Sequence, residues 1–557
     1  MKTLPDYQDR ILEIHGPNMF NMFHVDRAIN FAKDHGLNGL IFHCNELLDK
    51  LVLPYKYFDK DLSLARWPVR EATVQNNRYY MHGVLAKCKE AGLNFFAEVK
   101  ELYYPPEILE LYPFLRKENG AVCPTEPFWW EFLEEKVREI CEQLPDIAGI
   151  VVSPGTRESM ISLAANGCKC ERCRNYNMDQ WYRELITAMY KPLAAAGKRL
   201  VIRDFSYTAD HQYAMVDAAR TVSPDITMAL KKCPHDYYPT FPDNPAVGNC
   251  GEMRQWIEYD TWGQYFGLGV LPCSIAEDMQ GRMQRYLAKG ASGVMLRTDW
   301  EIISQSSAFS SFNMLNLIAG AALSNDVNAD LHDVYKRWVS EGLYSPLKHD
   351  SFAQPPCVPT AGNAVGVLEE YMKRSWQILE KIIYTRGHVF QENVQVFDRF
   401  DLAYNFMVKF HCRDDWDPGA SRKVEATDEN IAIIFKEKDE GVALAESLRD
   451  LIHPDELGVS EDIRFYLDFL VEMYIAYAKV MRHQAHSVFL IEKARNTKAA
   501  DDIAAAKATL EGYEEEAALF KEKVEGKAYA NIVEWIFDGN RILRFKEDCE
   551  KVISAIC

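Results

Sequence analysis

A (β/α)8 barrel followed by an all-helical domain is the fold class this sequence predicts, and three observations point to it. Short apolar runs alternate with longer amphipathic segments from about residue 36 to residue 302. Alternation of that kind builds a parallel sheet with helices outside it, and eight such units in roughly 270 residues close a barrel. Beyond residue 320 only helical periodicity remains. At 557 residues the chain is too long for a single core, so the two regions read as separate domains, 1–325 and 326–557.

The predicted strands are, in order, Gly39–His43, Asn94–Leu102, Gly149–Ser153, Leu200–Phe205, Ile226–Lys232, Arg254–Asp260, Gly267–Cys273 and Gly293–Asp299. Helices are predicted over Gln75–Ala91, Glu126–Glu142, Asp179–Ala196, His211–Val222 and Glu277–Lys289. The link between Asp260 and Gly267 is too short for a helix, which makes it the weakest joint of the count. In the second region, Val367, Leu368, Tyr371, Met372, Trp376 and Leu379 recur at helical spacing, Phe465–Met481 carries another apolar stripe, and Asp501–Val524 reads as one charged helix. These stripes are core, and the helical domain also offers a surface for homodimerisation.

A net charge of -19 argues against nucleic acid or an anionic membrane as partner. No run of 18 apolar residues is present, and the first residues, MKTLPDYQDRILEIHG, lack the apolar core of a signal peptide. A cytoplasmic enzyme with mostly reduced thiols and a small soluble substrate is the expectation.

In a barrel, the C-terminal strand ends carry the active site. Here they carry His43, Lys100, Arg157, Glu158, Arg203, Lys231, His235, Asp236, Glu258, Asp260, Arg297, Asp299 and Glu301. Glycoside hydrolysis needs two carboxylates across a pocket, one donating a proton and one activating water or attacking. Arginine and lysine beside them can hold a substrate carboxylate. The residues alone therefore read as a barrel hydrolase of a sugar, including an acidic one, with no cofactor required for catalysis. A carbohydrate-binding or sensing protein on the same fold is the alternative from another class. Trp256 and Trp262 either stack on a sugar or pack in the barrel wall, and Glu98 and Lys100 read as an ion pair across its mouth.

Three stretches, LKKCPHDYYPTFP (Leu230–Pro242), RDFSY (Arg203–Tyr207) and QWIEYDTWGQ (Gln255–Gln264), resemble segments of glycoside hydrolase family 67, the α-glucuronidases. The resemblance covers roughly residues 140–340. It implies an inverting exo-α-glucuronidase in which Lys231 and Arg203 contact the uronic acid and Asp236 is one of two base carboxylates. Glu258 is preferred as the second base because it fits the Glu-Tyr pair, whereas Asp260 fits the distance to Gly263. His43, His235, Asp260, Arg297 and Asp299 complete the substrate-binding set. Two features depart from the family: its additional N-terminal α/β domain is not seen, and its acid motif is replaced by GIVVSPGTRES. Glu158 is the carboxylate available there, so it is assigned as the general acid. A barrel glycosidase for a non-uronic sugar is the runner-up.

Finally, CKCERC places Cys168, Cys170 and Cys173 in one loop. They read either as reduced thiols stiffening it or as a structural zinc site completed by Cys123, His43 or His235.

Overall fold

The structure is a computed structural model, and it describes residues 6–163, 165, 167–206, 208–303, 306–348, 355–389, 394–408 and 413–556. Tyr207 of the RDFSY stretch lies outside the described residues. Eight parallel strands close a barrel in chain order: β1 (Asp9–Ile14), β2 (Gly39–His43), β3 (Asn94–Val99), β4 (Gly149–Val152), β5 (Arg199–Arg203), β6 (Thr227–Lys231), β7 (Arg254–Asp260) and β8 (Gly293–Arg297). β1 pairs with both β2 and β8, and the register Asp9↔Gly293 to Glu13↔Arg297 seals the ring.

The number of strands matches the expectation, but one member differs. Asp9–Ile14 is a strand that the sequence pattern does not announce, and Gly267–Cys273 is not a strand. The latter segment turns repeatedly, with φ of +105°, +53° and +69° at Gly267, Leu268 and Gly269. A Cβ on Gly267 would lie 1.9 Å from the Leu271 carbonyl oxygen, so only glycine fits that turn. Its apolar side chains are buried, which is why it imitates a strand in one dimension. The missing helix after Asp260 is thereby explained: the true β7–β8 crossover carries its helix at Ala276–Ala288.

Period-2 alternation along the strands decides what fills the barrel. One residue from each strand forms a closed apolar layer: Ile11, Ile41, Phe96, Val151, Val201, Ala229, Trp256 and Met295. Two positions further along each chain, on the same face, stand Glu13, His43, Glu98, Ser153, Arg203, Lys231, Glu258 and Arg297. All eight are buried. The barrel is thus sealed by hydrocarbon below and floored by a polar layer at its C-terminal end.

After β8 the chain is helical apart from one short hairpin, Tyr384–Thr385 paired antiparallel with His388–Val389, so the second region is not all-helical as expected. Long helices span Ala364–Ile382, Asp428–Glu446 and Glu461–Thr497. The predicted helix 501–524 is two, Ala500–Ala508 and Tyr513–Val524, divided at Gly512, whose φ is +95°. Buried tyrosines dock these helices on the irregular segment before β8: Tyr384 donates to the Tyr265 carbonyl (2.6 Å), Tyr466 to Val270 (2.9 Å) and Tyr474 to Pro272 (2.5 Å). Among the described residues no helix is long and apolar enough to cross a membrane.

Candidate active site

The loop after β6 shows how local sequence places the site. Strand alternation turns Lys231 into the barrel and Lys232 outward, where Lys232 meets Asp278 of the outer helix at 2.8 Å. Arg282 on that helix donates to the carbonyls of Lys232, Pro239, Phe241 and Pro242, tying the proline-rich loop down. Within it Asp236 adopts φ +44°, a left-handed conformation that aspartate tolerates better than most residues. Its carboxylate meets Lys231 Nζ at 2.6 Å and His235 Nε2 at 3.3 Å.

Above the polar floor lies a cavity of about 270 Å³. Its carboxylates are Glu158, Asp236 and Glu301; its cations are Lys100, Arg203 and Arg297; Phe205, Tyr237, Tyr265 and Trp300 supply aromatic wall. Glu158 is held in the loop after β4, where its N–H donates to Thr156 Oγ1 (3.1 Å) and its carbonyl accepts from Tyr103 (2.8 Å). Its carboxylate reaches Lys100 Nζ at 3.2 Å. Lys100 also lies 3.7 Å from the centre of the Phe205 ring. The predicted pair of Glu98 with Lys100 is therefore replaced by Glu158 with Lys100.

Glu258 is fully buried and does not line the cavity. Arg203 clamps it with two hydrogen bonds, Nε at 2.8 Å and Nη2 at 2.7 Å, and the Tyr237 hydroxyl donates to it as well. Burial alone would raise its pKa, but the guanidinium outweighs burial and brings the carboxyl down to about 2. The position expected of a second base thus holds the anchor of Arg203. Asp260 does not line the cavity either. Its oxygens accept from the N–H groups of Trp262, Gly263 and Gln264 at 2.7–3.1 Å and so shape the turn after β7. Asp299 accepts from the His15 N–H (2.6 Å) and lies beside Asn18 and Thr298. His43 and Lys231 belong to the floor, and His235 buttresses Asp236. Trp256 fills the apolar layer inside the barrel, and buried Trp262 donates to Ser306, so both are packed in the core and neither lines the cavity.

The structure adds residues that the sequence pattern does not single out. His15, one step of alternation beyond Glu13, joins the cavity wall and contacts Glu13 (3.1 Å) and Glu301 (2.8 Å). Tyr237, Gln264, Tyr265 and Trp300 come from loops. For Glu13 and His15 a signal does exist: Ile11-x-Glu13-x-His15 repeats the spacing Phe96-x-Glu98-x-Lys100.

Glu13, His15 and His43 bring three metal-ligand atoms within 4.8 Å of one another. His43 shares a hydrogen bond with Glu13 (2.9 Å), His15 lies 3.1 Å from the same carboxylate, and burial, reinforced by the nearby cations Arg203 and Arg297, depresses the affinity of both histidines for a proton. The same field disfavours a cation, so this trio fits a hydrogen-bonded floor.

Within that floor Glu98 contacts His43 and Arg203, each at 3.2 Å. Burial, only partly opposed by Arg203, pushes its carboxyl from 4.5 up to about 7. A raised folded-state pKa means that its stabilising contribution is complete below pH 4.5 and is lost as pH rises toward 7. Glu98→Gln cannot titrate. The gap between the melting temperatures of variant and wild type is therefore expected to shift in favour of the variant from pH 4.5 to 7.5, in calorimetry of the full chain. Parallel curves would overturn the assignment.

No protein-family model and no curated protein matches the chain. Among solved structures it is similar to a GH138 enzyme targeting pectin rhamnogalacturonan II, with a TM-score of 0.64 and 13% identity over 100% of this chain and 67% of that one. It is also similar to an O-GlcNAc hydrolase of Thermobaculum terrenum, with a TM-score of 0.44 and 10% identity over 99% of this chain and 94% of that one. A chitobiase of Flavobacterium johnsoniae gives a TM-score of 0.41 and 10% identity over 99% and 78%. The first similarity, spanning the whole chain, shows the fold class: a closed (β/α)8 barrel with a helical C-terminal region.

Proposed function

We propose that the protein is a glycoside hydrolase that releases a uronic acid from short oligosaccharides, as the α-glucuronidases do. The observation that carries this reading is the cavity at the C-terminal end of the barrel, in which Glu158 and Asp236 share a wall with Lys100, Arg203 and Arg297. Its fold also serves a GH138 enzyme targeting a pectic polysaccharide, which gives a carbohydrate role a structural precedent.

In this mechanism Glu158 protonates the glycosidic oxygen and Asp236, oriented by Lys231 and His235, deprotonates the attacking water. Arg297 donates to the Asp299 carbonyl and meets Glu301 only at 3.7 Å, which leaves its guanidinium available to a substrate carboxylate. Arg203, rigidly held by Glu258, presents a second cationic edge. Asp236 thus acts as the base without Glu258, in contrast to the pair of bases that the family 67 resemblance implies.

The test is to follow the anomeric protons by NMR while the protein acts on glucuronosylated xylo-oligosaccharides. Early release of β-glucuronic acid is expected, reporting enzyme, substrate class and inversion together. Early α-anomer would remove the water-activating role of Asp236. No release there, but release from neutral oligosaccharides, would overturn the uronic specificity; binding without release from any sugar would overturn hydrolysis itself.

A further inference from the structure

The sulfurs of Cys123, Cys168, Cys170 and Cys173 all lie within 4.8 Å of one another, although Cys123 is 45 or more positions away in the chain. Cys123 Sγ stands 3.7 Å from Cys170 Sγ and 3.5 Å from Cys173 Sγ. Tetrahedral zinc with Zn–S bonds of about 2.3 Å separates its sulfurs by about 3.8 Å. The observed spacing is close to that and far from a disulfide bond of about 2.05 Å; all four are free thiols.

We propose that these four cysteines form a structural zinc site that staples the loop after β3 to the loop after β4. Cys123 is the fourth ligand; His43 and His235 belong to the barrel floor and to Asp236. A closed four-sulfur site leaves no open coordination position, so its role is to hold loops and not to activate water.

The surroundings suit a tetrathiolate. The Cys173 N–H donates to Cys170 Sγ (3.5 Å), the kind of backbone bond that stabilises a ligating sulfur. Arg172, in the cysteine loop itself, and Lys117 pair with Glu126 at 3.2 and 3.0 Å, so positive charge lies close to where four thiolates would gather. The Cys123 side of the staple is rigid: its carbonyl accepts from Trp129 Nε1 (2.9 Å) and the neighbouring Pro124 carbonyl accepts from Trp181 Nε1 (3.0 Å). The other side continues the loop that bears Glu158, so the metal would limit how far that loop can move. Binding proceeds with loss of the thiol protons to solvent and no change of oxidation state.

The full-length protein, purified under reducing conditions without chelator, is assayed for metal by mass spectrometry of the elements. About one zinc per chain is expected, with four thiols becoming reactive only when the zinc is released. Cys123→Ser and Cys170→Ser should each lose most of it. Should those variants fail to fold, cobalt exchanged into the wild type gives a second readout: the intense d–d and thiolate charge-transfer bands of a tetrahedral sulfur site. Zinc-free protein that takes up neither metal, zinc retained after all four cysteines are replaced, or a disulfide among the four would each overturn the proposal. None of these readouts depends on the sugar that the barrel cleaves.

Discussion

Asp236→Asn should lower kcat for oligosaccharide hydrolysis by about 10²–10⁴-fold, the range that a positioned general base contributes. The substitution keeps the shape of the side chain and removes its charge and basicity. Two effects then separate. The chemical loss appears in kcat, because water is no longer deprotonated as it attacks. A structural loss follows from Lys231, which is nearly fully buried and would lose the carboxylate now 2.6 Å away. Measuring unfolding alongside kinetics distinguishes them, and in Asp236→Ala, where truncation leaves room for it, formate should restore part of the rate by standing in for the missing base. A loss of under tenfold, with the fold intact, would exclude Asp236 as the base.

Glu158→Gln should be as damaging, but selectively. On substrates whose leaving oxygen needs a proton the expected fall is again about 10²–10⁴-fold. On aryl glycosides with a good leaving group the reaction needs no acid, so the fall should be small. The geometry favours this role: the Glu158 side chain is 37% exposed at the cavity wall, facing both solvent and Lys100, where an incoming glycosidic oxygen could reach it. Equal losses on both substrate types would mean that Glu158 positions Lys100 or the substrate and donates no proton. The contrast between leaving groups is the informative measurement, since a merely destabilised loop would penalise both.

Much of this site is legible in the chain. The barrel follows from strand–helix alternation, and the polar floor follows from a simple offset: each apolar interior residue is followed two positions later by a polar residue of that floor. That offset names His43, Arg203, Lys231, Glu258 and Arg297 at once, and it extends to Glu13 in Ile11-x-Glu13. Asp9–Ile14 escapes a reading of the chain because six residues before a short helix carry little signal until β8 supplies a partner. Gly267–Cys273 imitates a strand because burial, not pairing, makes it apolar.

Local pattern along the chain suffices for the barrel, the helical region after it, the inventory of charges at the strand ends and the cysteine-rich loop. Tertiary structure alone decided how those charges are used. Glu258 and Asp236 look equivalent in sequence, each a carboxylate at the end of a strand. Arg203, 55 positions from Glu258, consumes the first, while a left-handed turn presents the second to the cavity. Cys123 likewise becomes the fourth member of a sulfur cluster only when the loops after β3 and β4 meet. The physical reason is common to both cases: pattern within a strand or helix is set by neighbours along the chain, whereas the partner of a buried charge or thiol is set by closure of the barrel.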